Sequence, residues 1–164
     1  MDLTWLFPYI LFLHVLGAII AFGPTFAFAL IGSMGGQEPQ HSNFATRVSA
    51  RISDRIVIPL SIVQGITGVL LIVISGRDLT DPANRWLVLA IILWAIALGY
   101  AYFVQRSHVQ RVIAITSTPP PPDAKGPPPG LMDEVKQVQR GGMLLGLLIV
   151  VIVFLMVVKP SLGG

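Results

Sequence analysis

The 164-residue chain contains no cysteine. That excludes disulfides, thiolate metal sites, iron–sulfur clusters and a cysteine nucleophile. Charge is scarce as well: Asp, Glu, Lys and Arg make up 12% of the residues, against about 25% in soluble domains. No charged residue falls between Asp2 and Glu38. A stretch of that kind fits the apolar core of a bilayer, which one helix crosses with about 20 residues. The common enzyme signatures are missing too. There is no Walker A loop, zinc-binding helix, nucleophile elbow or dinucleotide fingerprint, so the reading leans away from an enzyme. Nucleic acid is a poor partner, because the basic residues sit beside apolar helices, where anionic lipid headgroups are nearer.

Hydrophobic sequence is abundant: 54% of the chain, with a mean hydropathy of +0.76. The expected fold is all-α, an integral membrane four-helix bundle of one domain, residues 1–164, with cytoplasmic helical extensions. Four spans are expected, at about 5–34, 57–75, 83–104 and 142–158. The first holds Pro24, where a bend is expected, and the Gly35-Gly36 pair is expected to end it. Ala27-Phe28-Ala29 resembles a signal-peptide cleavage site. No basic residue precedes the apolar run, however, since the first is Arg47, so the run is read as a retained helix.

Residues 43–56 carry two stripes. Phe44, Val48, Ile52 and Ile56 recur every four residues, and Arg47, Arg51 and Arg55 recur at the same spacing. This pattern predicts an amphipathic helix lying on the membrane surface. It runs into the second span at Pro59, where a kink or restart is expected. Asp81-Pro82 reads as an N-cap followed by proline at the first helical position. The third span continues as a wetter helix to about Thr116. Residues 117–130 contain seven prolines and read as an extended connector. Helical spacing resumes at Leu131, Val135 and Val138, and Pro160 stops the last helix. Loop lengths favour two hairpins, the first helix with the second and the third with the fourth.

Orientation follows from the basic residues. One side carries Arg47, Arg51, Arg55, Arg106, Arg111, Lys125, Lys136 and Arg140; the other carries Arg77, Arg85 and Lys159. The positive-inside rule then puts residues 35–56 and 105–141 in the cytoplasm and both termini outside. Trp5 and Trp86 fall at the outer border, as an aromatic belt requires.

Few polar residues enter the spans. His14 is the one ionisable group well inside, flanked in depth by Thr67 and, one turn deeper, Gln64. Such groups face the bundle or a cofactor, and a neutral imidazole is a common haem ligand. Against that, His14 and Gln64 can simply bond across helices. His41 and His108 lie outside the spans, so one chain does not offer a bis-histidine haem site. Asp133 and Glu134 are placed to meet Arg106 or Arg111 if the extensions pack antiparallel. The arginine stripe reads as a face for anionic headgroups, with partner docking as the alternative. Small residues recur at packing spacing: Gly17 with Ala21, Ala97 with Ala101, and Gly142 with Gly146, the last a literal GxxxG. Packing within the chain is the default for these pairs, with contact between chains as the alternative.

The segment Phe12-Leu13-His14-Val15-Leu16-Gly17-Ala18, followed by Gly23, resembles the opening of the bacterial integral membrane family called DUF2269, a domain of unknown function. Length and four-helix layout are similar too. The resemblance implies a multi-pass protein of the bacterial cell membrane and no assigned activity. The Leu-His segment also resembles the first helix of copper-resistance-D-like proteins and of the HemJ type of protoporphyrinogen oxidase, where the histidine is linked with haem. That resemblance implies haem b at His14. This chain has no second intramembrane histidine, and it lacks the Met/His enrichment that copper handling requires. The expected function is a scaffold or small subunit of a membrane complex, with other membrane proteins or further copies of itself as partners. A haem-binding redox protein using His14 is the alternative, and a small transporter comes third.

Overall fold

The structure, a computed structural model, describes residues 3–118 and 126–161. It contains four helices long and apolar enough to cross a membrane: Thr4–Gln37, Pro39–Ser75, Pro82–Thr116 and Leu131–Val158. No strand occurs among the described residues. The second helix has 37 residues, about 55 Å at 1.5 Å per residue. The hydrocarbon core is about 30 Å thick, so such a helix continues well past it.

Within these rods the regular segments are α1 (Phe7–Gln37), α2 (Ser42–Ile52), α3 (Ile58–Ser75), α4 (Arg85–Gly99), α5 (Arg106–Thr116) and α6 (Leu131–Val158). Wider π-turns, Ser53–Val57 and Tyr100–Gln105, join α2 to α3 and α4 to α5. The first of these explains how the chain passes Pro59. Proline has no N–H and would leave a carbonyl of the preceding turn unpaired. Here the Ile58 N–H reaches back five residues to the Ser53 carbonyl, and Pro59 sits in the first turn of α3. The helix is re-registered and does not stop.

The amphipathic helix expected at residues 43–56 is present as α2, runs on into α3 as expected, and packs against α1 and α5. A correction concerns Gly35-Gly36. The first helix continues through both glycines to Gln37, and the Glu38 N–H bonds back to the Met34 carbonyl at 3.0 Å. Gly35 serves packing instead: a Cβ there would lie 3.2 Å from the Ala45 Cβ and 3.4 Å from the Ser42 Cα. Pro24 lies inside α1 as read from the sequence.

The remaining ends follow local chemistry. Gly76, at φ +61°, ends α3, with the Arg77 N–H bonded to the Ile72 carbonyl. This is the left-handed glycine stop. The Asp81 carboxylate accepts the Ala83 N–H at 2.8 Å, with Pro82 next in line. Residues 131–141 and the fourth span form one unbroken helix that ends at Lys159, before Pro160. The four-proline run, with Lys125, lies outside the described residues.

α1 packs mainly on α3, and α4 on α6, which gives the two expected hairpins. α2 and α5 then join them at the basic end. A small core of Trp86, Leu87, Ala90 and Leu155 lies toward the other end. Trp86 is therefore only partly as expected. It sits level with Arg77 and Lys159, whose cations lie 5.8 and 5.9 Å from its ring, but it is buried and not turned to lipid. Two cations and an apolar core together outweigh an interfacial position. Trp5 is exposed and stacks edge-on with Tyr9. A cavity of about 60 Å³ between all four helices is lined by Phe22, Thr25, Ser61, Trp94, Ala97 and Ile149 among others.

Candidate functional site

α1 and α3 bring His14, Gln64 and Thr67 together. The sequence placed these three residues at similar depth, and helix pairing sets the contacts. His14 Nδ1 lies 2.8 Å from Thr67 Oγ1. The Thr67 hydroxyl is directed at the carbonyls of Val63 and Gln64, at 3.0 and 3.1 Å. A threonine has a single hydroxyl proton. With that proton given to its own helix, Thr67 accepts from the imidazole. That arrangement is the tautomer protonated on Nδ1, in which Nε2 keeps its lone pair; in the other tautomer Thr67 donates to Nδ1.

Gln64 takes a different part from the one its depth suggested. Its Nε2 donates to the main-chain carbonyl of His14 at 2.8 Å and not to the ring. Its Oε1 is buried with no partner. Two glycines shape the surroundings. A Cβ on Gly17 would lie 2.8 Å from Gln64 Oε1, and one on Gly68 would lie 3.4 Å from His14 Cε1. Gly17 was legible as a packing residue, but Gly68 was not singled out. Its one signal is its place beside Thr67 in α3.

Two further cross-helix bonds went unread in the sequence. Trp94 Nε1 donates to the Ser61 carbonyl at 3.1 Å, and Gln105 Nε2 donates to the Val138 carbonyl at 2.9 Å. Neither Trp94 nor Gln105 was singled out in the sequence. Both are polar atoms that need a partner in an apolar medium, and that need was the available signal. Gly141 lets Gln105 in: a Cβ there would collide with Gln105 Oε1 and come 2.9 Å from the Tyr100 hydroxyl. The close approach on α6 therefore uses Gly141. Gly142 and Gly146, the literal GxxxG pair, face open space, which corrects the default of packing within the chain. Gly17 and Ala21 behave as expected, and Ala21 is fully buried.

At the basic end ionic contacts appear beside a neutral one, in which Asn43 Nδ2 on α2 donates to the Ile113 carbonyl at 3.1 Å and to Thr116 Oγ1 at 2.9 Å on α5. Glu134 meets Arg111 at 3.2 Å, as expected, and also His108 Nδ1 at 2.6 Å, which was not foreseen. The His108 hydrogen bond, with Arg111 adding to it, holds the Glu134 carboxyl below its usual range. Asp133 reaches neither arginine of α5; it faces Lys136 along its own helix at 4.0 Å. Arg106 instead pairs with Asp54 at 3.1 Å, across to the π-turn of the second helix. Arg47, Arg51 and Arg55 are exposed. His41 and His108 lie in the extensions, away from His14. Among the described residues, no cluster of three or more His, Asp or Glu side chains could hold a metal ion.

Residues 8–160 match the model of a family described as predicted integral membrane protein, DUF2269. The chain belongs to that family. No curated protein matches it, and no solved structure does. In this DUF2269 chain the matched stretch takes in His14, Gln64, Thr67 and the three arginines of the stripe. What the match establishes is an integral membrane protein; four spans of apolar side chains imply contact with a bilayer.

Proposed function

We propose that this protein is a non-enzymatic scaffold or small subunit of a larger complex in the bacterial cell membrane, with residues 35–56 and 105–141 in the cytoplasm and both termini outside. One observation supports this most. Polar groups of the spans join successive helices: His14 with Thr67 and Gln64 between the first two, Trp94 with Ser61 between the second and third, Gln105 with Val138 between the third and fourth. Such groups act as glue in a bilayer, and the result is a braced bundle suited to holding a partner. The test is solubilisation from native membranes in mild detergent, followed by native gels and mass spectrometry. A complex with another membrane polypeptide at constant stoichiometry is expected. Recovery of this chain alone, or only as copies of itself, overturns the reading.

A second reading has its own observation, the hydrogen bond of His14 Nδ1 to Thr67, which holds the ring by one nitrogen. An imidazole whose other nitrogen is fixed by a hydrogen bond is the usual form of a metal-ligating histidine. His14 would hold haem b through its imidazole. No second histidine of this chain would reach the same group, because His41 and His108 lie in the extensions. When bound, haem supplies one-electron redox chemistry; the residues here contribute the ligand and its orientation through Thr67. The visible spectrum of the purified protein, with and without dithionite, tests this. A Soret band that is absent in His14→Ala supports it, and a flat spectrum from cells supplied with a haem precursor removes it.

A further inference from the structure

Arg47, Arg51 and Arg55 differ from most other cations of the chain. Arg106 has Asp54, Arg111 has Glu134, and Arg77 has Asn84 and the Trp86 ring. The three stripe arginines are exposed and form no ion pair or hydrogen bond in the described structure. Asp54, the acid nearest in sequence to Arg55, is held by Arg106 at 3.1 Å. The stripe is therefore a row of uncompensated guanidinium groups on the outside of one helix.

Depth narrows what such a row meets. The apolar run of the second helix is Ile56 to Ser75, about 30 Å long and equal to the hydrocarbon core. Arg55 then stands at the edge of that core, and Arg51 about 6 Å further out. The headgroup layer on each side is roughly 5–7 Å thick. Both arginines thus fall within it, one helical turn apart. Beyond the π-turn at Ser53–Val57 the same helix carries an exposed apolar row of Ile62, Ile66, Val69 and Val73, each 48% exposed or more. Guanidinium groups bind phosphate oxygens in a bidentate manner, and the apolar row matches an acyl chain.

We infer that Arg51 and Arg55 form a specific site for one anionic glycerophospholipid. Its phosphodiester is clasped between the two guanidinium groups, Arg47 adds charge from the outer side, and one acyl chain lies along Ile62, Ile66 and Val69. A zwitterionic lipid offers the same phosphate, but it brings a quaternary ammonium against three arginines. The site therefore selects net negative charge. The inference requires only that the second helix crosses the membrane, and it stands apart from the scaffold and haem readings.

The test is native mass spectrometry of the detergent-purified protein, given equal amounts of phosphatidylglycerol and phosphatidylcholine, with inorganic phosphate as a separate probe. One phosphatidylglycerol adduct is expected to survive activation in preference to phosphatidylcholine, and free phosphate is not expected to displace it. R51Q/R55Q weakens retention roughly thirtyfold, from two arginines near an anionic surface, while K136Q, at the same end but off the stripe, leaves it unchanged. R51K/R55K, which keeps the charge and loses the bidentate geometry, falls between. Circular dichroism of each variant confirms the helical fold. Equal retention of the two lipids, or no effect of R51Q/R55Q, overturns the site. Displacement by free phosphate overturns the lipid as its ligand. Loss of a co-purifying protein in R51Q/R55Q with lipid retention intact gives the stripe to a protein partner and likewise overturns it.

Discussion

Within the spans, α1 meets α3 through an imidazole, a hydroxyl and an amide, two of which bond to main-chain carbonyls. At the basic end, α5 meets α6 through Glu134, His108 and Arg111, whose side chains remain 20%, 20% and 59% exposed. The first contact involves no formal charge if His14 is neutral, and it depends on glycines that let helices approach. The second is ionic, partly wet, and does not depend on close backbone contact. The same task of joining two helices is thus done by packing and neutral hydrogen bonds where water is absent, and by charge where water can screen it. Perturbations of the two regions should differ in size and in their response to salt and pH.

Bulk added at a close helix contact should have the largest effect. A Cβ on Gly65 would lie 2.5 Å from the Trp94 ring, whose N–H reaches across to Ser61. Gly65→Leu is expected to destabilise the bundle by about 3 kcal/mol, the upper end for overpacking. Gly141→Leu, which runs into Gln105 and Tyr100, should come close to that. Gly142→Leu, at a glycine facing open space, should change little. Reversible unfolding in mixed detergent micelles measures all three. If Gly142→Leu proves as damaging as Gly65→Leu, a second chain covers that face, and the contrast drawn from a single bundle is wrong.

The His14 contact should be next in size. Coupling between His14→Ala and Thr67→Val in a double-mutant cycle is expected at roughly 0.6 kcal/mol and no more than about 1.7, the range for hydrogen bonds within membranes. Gln64→Leu sharpens the point. It removes the bond to the His14 carbonyl, but it also removes the buried Oε1 that has no partner. A buried unsatisfied acceptor is costly, so this variant should be close to neutral although it deletes a cross-helix bond. Strong destabilisation by Gln64→Leu would show that Oε1 has a partner in the membrane, such as a buried water. Added salt should leave all these values unchanged, because the groups are neutral and shielded from ions.

The sequence was most legible where one strong physical rule decides. Apolar run length set the four spans, and Asp81-Pro82 set the start of the third helix. The equal depths of His14 and Thr67 could be counted from the borders, because two antiparallel helices of known rise leave little freedom. Reading was poorer where two rules compete. Gly35-Gly36 carries the signal of a helix end, but a neighbouring helix at Ala45 and Ser42 claimed the space that glycine leaves. Pro59 carries the signal of a break, but a π-turn reabsorbed the missing donor. Glu134 was expected to find Arg111. His108 was not legible as its partner, because pairing across α5 and α6 depends on rotation about each helix, which spacing alone does not fix.

The Glu134 contact should give the smallest change at neutral pH and the clearest change in acid. Its carboxyl is held below the usual carboxylate range, first by the His108 hydrogen bond and then by Arg111. A depressed folded-state value means that unfolded chains bind the proton more readily. The stabilisation is then fully present above the unfolded carboxylate pKa, about 4.3, and is lost as pH falls through the lower folded value. Between pH 7 and 5, hydrogen exchange at residues 106–116 and 131–140 should be flat as far as Glu134 is concerned, and below pH 4 it should accelerate. Glu134→Gln should remove that acid response while lowering stability at pH 7 only slightly, as for other exposed pairs. It should also weaken the response of the same segments to salt, while exchange around His14 stays as it was. An acid response that persists unchanged in Glu134→Gln would assign it to another group, with Asp54, paired to Arg106 at 3.1 Å, the next to test.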